Sequence, residues 1–334
     1  MTEHVTPTIS RERLVALLAS AARQQVLIIG DAMLDVYLRG SVDRISPEAP
    51  VPVVRVEERR LALGGAANVA QNVAALGAAC DLVAVVGNDA GGMTLREHLR
   101  MAAIRERSLV TISRPTTTKT RVMARSQQLV RFDEEVDADL NGAEIALVLS
   151  AIERAMPDAT AVVFEDYNKG VLVPAVIEGA IKLAKARNLP IVVDPKFRNF
   201  FAYRGATVFK PNRRELESAL GAAVDLDHPE ALPQTFQRLG VEHLLLTLGE
   251  RGMALLATDG VVHRVPTTAR EVYDVVGAGD TVTAYLATML ASGATALEAA
   301  IVANYAAGVE VGKLGAATVT SAEVIEAYDE HIAG

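Results

Sequence analysis

Short β-branched runs alternate with alanine-rich stretches along this chain, and that alternation restricts its fold more than any other feature. "VLIIGD", "CDLVAVVG", "TAVVFED", "LPIVVDP", "ATVFKP" and "HLLLTLG" read as buried strands, several closing on Gly, Asp or Pro. Between them, "AANVAQNVAALG", "PAVIEGAIKLAKARN" and "NRRELESALG" carry apolar residues at helical spacing. This order implies an α/β fold, a mostly parallel central sheet with helices on its faces. Sites in such sheets gather beyond the carboxyl ends of strands, where the polar punctuation falls. The sequence shows no internal repeat, low-complexity tract or linker, so one domain over residues 1–334 is expected.

Two segments break the alternation. "VYLRGSVDRISPEAPVPVVRVEERRLALGG" is punctuated by proline and has no helical period; "TKTRVMARSQQLVRFDEE" alternates polar and apolar residues. Both read as antiparallel strands outside the main sheet. One reading joins them into a β lid of about residues 38–62 and 114–134 over the site; two ordinary surface hairpins fit the pattern equally well.

A net charge of −8 argues against nucleic acid as a partner, so any phosphate must be held in a local basic pocket. Cys80 is the only cysteine, which excludes an intrachain disulfide and suits a reducing compartment. The start, "MTEHVTPTISRERL", has no signal-peptide core, and no apolar run approaches the roughly 18 residues of a membrane span. A soluble, cytoplasmic protein with no membrane partner is expected.

The chemistry-bearing residues sit at the predicted strand ends. In "YDVVGAGDTVTAYLATML" a small-residue turn, Gly277-Ala278-Gly279, precedes Asp280 and a helical segment. A helix start offers free N–H groups and a positive dipole end, suited to an anion. Asp280 is then either the helix N-cap or a base beside an incoming phosphate. Asn212 and Glu215 in "FKPNRRELE" have the spacing of a capping box, or of a pair holding hydrated Mg²⁺. Thr247, Gly249 and Gly252 in "LTLGERG" make a tight turn that also leaves room for a nucleotide. Asp31, with Asp35 nearby, and Asn68 in the helix opened by Gly64 and Gly65 offer hydrogen-bonding groups for sugar hydroxyls, or plain turns and caps. Lys119, Arg121, Arg125 and Arg131 stand out in an acidic chain. Arg121, Arg125 and Arg131 share a face if their strand is unbroken, and as a set suit a substrate phosphate; a solvated lid face is the plainer reading. Lys169 in "DYNKG" and Lys196 in "VDPK" lie beyond two further strand ends and are the better-placed cations for binding a phosphate on the substrate. The histidines form no metal-like cluster, and neither a P-loop nor a GxGxxG fingerprint is present.

The order of these motifs is more specific than any one of them. "IGDAMLD", "GGAANVAQNVAALG", "VVGNDAGG", "KPNRRELE", "LTLGERG" and "DVVGAGDTVTA" together resemble the ribokinase/PfkB family of sugar kinases, from roughly Val26 to Thr320. "DYNKG", "VDPK" and "KTRVMARSQQLVRFDEE" are similar to the branch acting on D-glycero-β-D-manno-heptose 7-phosphate in making the ADP-heptose precursor of lipopolysaccharide. The resemblance implies a ribokinase-like fold with Asp280 as catalytic base and Gly277, Ala278 and Gly279 as anion hole. Asn212 and Glu215 match its element for Mg²⁺ and ATP phosphates, Thr247, Gly249 and Gly252 its nucleotide loop, and Asn304 a position near adenine. Asp31, Gly65 and Asn68 match sugar-binding positions. Where the family commonly has Thr before the glycine turn this chain has Val275 and Val276, which the backbone's role there tolerates. The family often binds K⁺ beside this loop and pairs lids between subunits, so a homodimer is expected. Relatives fuse the kinase to a nucleotidyltransferase, so the resemblance implies a kinase-only form served by a separate partner enzyme. A kinase for another sugar phosphate, or a nucleotide- and sugar-binding regulator without catalysis, are the alternatives.

Overall fold

A computed structural model describes residues 7–125, 127–227, 232–258, 260–269 and 271–333. The extreme amino-terminal residues 1–6, and Ser126 within the predicted lid, lie outside them. Helix α1 (Arg11–Ala21) leads into strand β1 (Gln25–Gly30), and two long strands, β2 (Ala32–Ile45) and β3 (Pro52–Gly65), return the chain to α2 (Ala66–Ala75). Then follow β4 (Ala79–Val83), β5 (Val85–Val86), α3 (Ala90–Met101), β6 (Val110–Thr111), β7 (Thr118–Ala124), β8 (Gln127–Glu134) and α4 (Gly142–Ala155). The next run is β9 (Ala161–Glu165), α5 (Pro174–Lys185), β10 (Ile191–Asp194), β11 (Val208–Phe209), α6 (Arg213–Leu220) and α7 (Leu232–Leu239). The chain closes with β12 (His243–Thr247), β13 (Met253–Ala257), β14 (Val262–Val265), α8 (Ala278–Ala291), α9 (Ala296–Glu310) and α10 (Ser321–Ala333).

The main sheet has eight strands in the order β14-β13-β12-β11-β10-β9-β1-β4. From β4 to β12 the pairs are parallel; β13 and β14 are antiparallel. Both faces are covered, so the inner strands are apolar throughout rather than alternating. On β1, Val26 and Ile28 pack into a core shared with α1, α2, α8 and α9, while Leu27 and Ile29 pack into a second one under α4 and α5. The expected α/β architecture is present. One expected strand is divided: "CDLVAVVG" supplies β4 to the main sheet and β5 to a two-stranded sheet with β6.

The two irregular segments form one four-stranded sheet, β3-β2-β7-β8. Each hairpin is antiparallel, but β2 and β7 join them in parallel, with Asp35 opposite Lys119 and Tyr37 opposite Arg121. That contact between segments so far apart in the chain is not encoded in either hairpin's pattern. Period two then gives the sheet two chemically different faces. Asp35, Tyr37, Lys119, Arg121, Arg131 and Asp133 share one; Leu38, Val122, Val130 and Phe132 share the other. Val130 and Phe132 are about half exposed, at 51% and 49%.

Candidate active site

Strand ends β1, β9, β10 and β11 and the start of α8 converge on Asp280. Gly277, at φ +98°, occupies the N-cap position of α8, and Asp280 lies in the helix's first turn. Its side chain makes no cap: Oδ2 accepts from Asn68 Nδ2 at 2.7 Å and Oδ1 from Tyr167 Oη at 2.9 Å. The carboxylate is 5% exposed, and burial pushes it up to about 6. The Asn68 and Tyr167 donors and the Lys210 charge pull the other way, while Asp194 adds to the rise. Asp280 is therefore held in place by side chains from α2 and from the loop after β9. Its capping role is absent.

Glycine is required around it. A Cβ on Gly277 would approach Ala316 and the Asn68 amide at 3.1–3.2 Å, and one on Gly65, at φ +56°, would overlap the Asp31 carbonyl. Gly279 lies over the Asp194–Lys210 pair, its Cβ position 3.7 Å from Lys210 Nζ. Lys210 Nζ donates to Asp194 Oδ2 at 2.7 Å. Burial would lower the Lys210 ammonium, but Asp194 and Glu165 outweigh it and raise it. Glu165 is fully buried and neither of its carboxylate oxygens has a partner, so burial, with Asp194 and Asp280 close by, holds it well above the usual range. Carboxylate oxygens of Glu165, Asp194 and Asp280 lie within 4.8 Å of one another. Sequence reasoning missed Glu165, Tyr167, Asp194 and Lys210, whose only signal was their position in "FEDYNKG", "VDPK" and "FKPN" beyond strand ends.

Asn212 and Glu215 make the capping box their spacing allows: Asn212 Oδ1 accepts from Glu215 N and Glu215 Oε2 from Asn212 N, both at 2.8 Å. Glu215 Oε1 also takes Lys196 Nζ at 2.5 Å. Thr247 is bridged to Asn212 in parallel, so these two elements lie side by side. Gly249 and Gly252 have φ of +61° and +80°, and a Cβ on Gly252 would overlap the Val265 carbonyl. Asn304 on α9 donates to the Pro266 carbonyl at 2.8 Å, tying the exit of β14 to the helix. A hollow of about 730 Å³, lined by Arg213, Asp225, Leu248, Arg251 and Arg264 among others, lies beside the turn after β12 and contains none of the expected site residues.

The expected sugar and phosphate residues divide. Asp31 holds backbone: Oδ2 accepts the N–H groups of Tyr167 and Lys169 at 2.8 and 3.0 Å and Oδ1 that of Val171 at 3.3 Å, so it shapes the loop that carries Tyr167. Arg121 and Arg131 are opposite one another, but Arg125 sits at the hairpin turn with φ +54°, so the three do not share one unbroken strand. Arg121 donates to Asp35 Oδ1 at 2.5 Å and lies over the Tyr37 ring, whereas half-exposed Arg131 pairs with Asp133. Glu135 bridges Lys119 and Lys169 at 3.0 and 2.6 Å. Lys196 is apart from these, on Glu215 and 5.4 Å from the Tyr167 ring centroid.

A buried acid in the first turn of a helix, beside a glycine-shaped loop at the carboxyl edge of a parallel sheet, is the arrangement of the ATP-dependent sugar kinases with the ribokinase-like fold. Solved structures share that fold: Arabidopsis thaliana ribokinase complexed with ribose and ATP has a TM-score of 0.71 at 19% identity, covering 91% of this chain and 98% of that one. Escherichia coli phosphofructokinase-2 in complex with potassium gives 0.73 at 18% identity, covering 92% and 98%. The chain belongs to the pfkB family of carbohydrate kinases, whose model matches residues 23–323. It is 45% identical over 324 residues to the bifunctional protein HldE of Rhodospirillum rubrum, and 48% identical over 318 residues to that of Azorhizobium caulinodans. These alignments cover 95% and 94% of this chain but 64% and 66% of the relatives, so the chain spans about two thirds of their length.

Proposed function

We propose that the chain transfers the γ-phosphoryl group of ATP to the anomeric O1 of D-glycero-β-D-manno-heptose 7-phosphate, giving the 1,7-bisphosphate for ADP-heptose and lipopolysaccharide core synthesis. The observation that carries the reaction is the placement of Asp280, buried, fixed by two donors and raised to about 6, at the start of α8. Such a carboxylate is ionised at neutral pH yet basic enough to accept the proton of an attacking hydroxyl. The backbone N–H groups of Gly277, Ala278 and Gly279 face charge developing on the transferring group, and Lys210 adds a cation directly beneath Gly279. In-line attack then moves the proton to Asp280 and the phosphoryl group to O1, with ADP leaving. Lid closure would exclude the water that competes for ATP.

Mg²⁺ fits the chemistry of Asn212 and Glu215. Asn212 is exposed and Glu215 half-buried, so the pair meets solvent, as an ion held through its own waters requires. When bound it would neutralise phosphate charge. Lys196, expected on the substrate phosphate, pairs with Glu215 and in this reading serves the nucleotide side instead. A K⁺ ion beside the glycine loop would neutralise the buried Glu310 carboxylate near Asp274. Thr247, Gly249 and Gly252 admit the nucleotide, and Asn304 fixes the segment against which adenine rests. Asn68 and the loop anchored by Asp31 wall the sugar.

The heptose reading rests on the 45–48% identity to bifunctional HldE proteins and on the cations of the lid's charged face. Arg121, Lys119 and Lys169, each paired with a carboxylate, are the cations gathered there, and in this reading they exchange those partners for the 7-phosphate. The apolar outer face of the lid suits a second copy of the chain, making a homodimer. Phosphorus NMR of the product tests the reaction: a new phosphate coupled to the anomeric proton is expected, and phosphorylation at any other hydroxyl contradicts the proposal.

A further inference from the structure

Each oxygen of Asp280 already accepts a hydrogen bond before any sugar arrives. Asn68 holds Oδ2, and this amide is itself fixed on α2, a helix in which Asn72 Nδ2 donates to the Asn68 carbonyl at 3.1 Å. Tyr167 holds Oδ1 with a neutral hydroxyl. The two donors differ in origin. Asn68 projects from the buried face of a helix, whereas Tyr167 belongs to the β9–α5 loop, whose backbone is tied to Asp31 and whose ring lies beside Gly65 and the Lys196 ammonium, itself paired with Glu215. A hydroxyl that attacks the γ-phosphate must itself donate to Asp280, in the position a phenol now fills.

We propose that Tyr167 is a positioning residue whose hydroxyl stands in for the reacting sugar hydroxyl on Asp280, denying that position to water until the sugar displaces it. The inference rests on Asp280 being the base. A buried carboxylate with a vacant oxygen would recruit a water, and a water on the base beneath an anion-binding helix start is a nucleophile for ATP. Tyr167 fills that vacancy with a group too far constrained by its ring to attack. Burial, with Asp280, Glu165 and Asp194 around it, raises the phenol well above its ordinary value, so it stays a donor across the working range. The charged groups facing Asp280 are Glu165 on β9, Asp194 on β10, Lys210 after β11 and Glu310 on α9, with Lys196 behind Tyr167. Of the two neutral donors on Asp280, Asn68 and Tyr167, only Tyr167 is a hydroxyl like the one it would yield to, and replacing it separates no ion pair.

Tyr167→Phe keeps the ring and removes only the donor. With Mg-ATP and no sugar, its ADP release is expected to rise about tenfold over wild type, a fraction of what a positioned base supplies. The acid limb of its kcat/KM with sugar phosphate should move to higher pH, because the ionised carboxylate loses a stabilising hydrogen bond. The KM for ATP should hold. A folded variant with wild-type sugar-free hydrolysis and an unmoved acid limb overturns the proposal, since a merely structural hydroxyl would lower only the melting temperature. Tyr167→Leu carries the same test if the Phe protein does not fold. Adding Asp280→Asn to either variant separates the two readings. Loss of the gained hydrolysis in the double variant supports the guard, and persistence of it removes Asp280 as the base that activates water.

Discussion

At the scale of single residues, the account stands on Asp280. Asp280→Asn keeps the shape and the Asn68 contact region but cannot accept a proton, so turnover should fall about 10²–10⁴-fold. ATP affinity should change little, and a near-normal kcat by coupled ADP release would remove Asp280 from its role. The pH dependence has a definite sign. The folded carboxyl is raised to about 6 and must be ionised to act, so kcat/KM should climb as pH rises through about 6 and level off above it. Sequence alone left Asp280 between cap and base. What removes the cap is that its oxygens reach Asn68 and Tyr167, 212 and 113 residues away in the chain. No local pattern encodes such a meeting, and for the same reason Glu165, Asp194 and Lys210 were invisible as a group. Asp31 was noticed as an acid past the first strand, but the backbone donors it accepts come from a loop that only folding brings to it.

At the scale of elements, the motifs were legible because each is also a local structural device. "PNRRE" makes a capping box whatever else it does, and "LGERG" makes a turn whose glycines have positive φ. Asn212→Ala should therefore cost about 1 kcal/mol of stability through the lost cap, and weaken Mg-ATP binding beyond what that loss explains; calorimetric titration and a thermal melt separate the two. Glu310 at the end of α9 gives a pH test. Burial and the charges of Asp274 and Asp280 push it from 4.5 up to about 8. A raised acid contributes stability below its unfolded value that is lost as pH rises through its folded value. Glu310→Gln removes that dependence. In K⁺-free buffer its melting temperature should gain on wild type progressively between pH 4.5 and about 8, and a pH-independent difference would contradict the assignment.

For the whole molecule, strand–helix alternation was enough to give the central sheet, because each parallel strand is a short apolar run buried on both faces. The lid was harder. Its hairpins are legible one at a time, but their parallel junction through β2 and β7 depends on a contact across the strand–helix units between them. That junction gives the charged and apolar faces, and the latter carries the quaternary prediction. Phe132→Asp should convert a dimer to monomer by light scattering; a dimer that survives it lies elsewhere. The most direct test of the central claim is coupled ADP release with Mg-ATP across sugars and sugar phosphates, heptose 7-phosphate among them. Selective turnover of heptose 7-phosphate, with Arg121→Ala raising its KM more than that of ATP, is the predicted result. Turnover confined to another sugar would contradict the heptose assignment, and binding of ATP and sugar without any turnover would contradict the proposed catalytic role of Asp280.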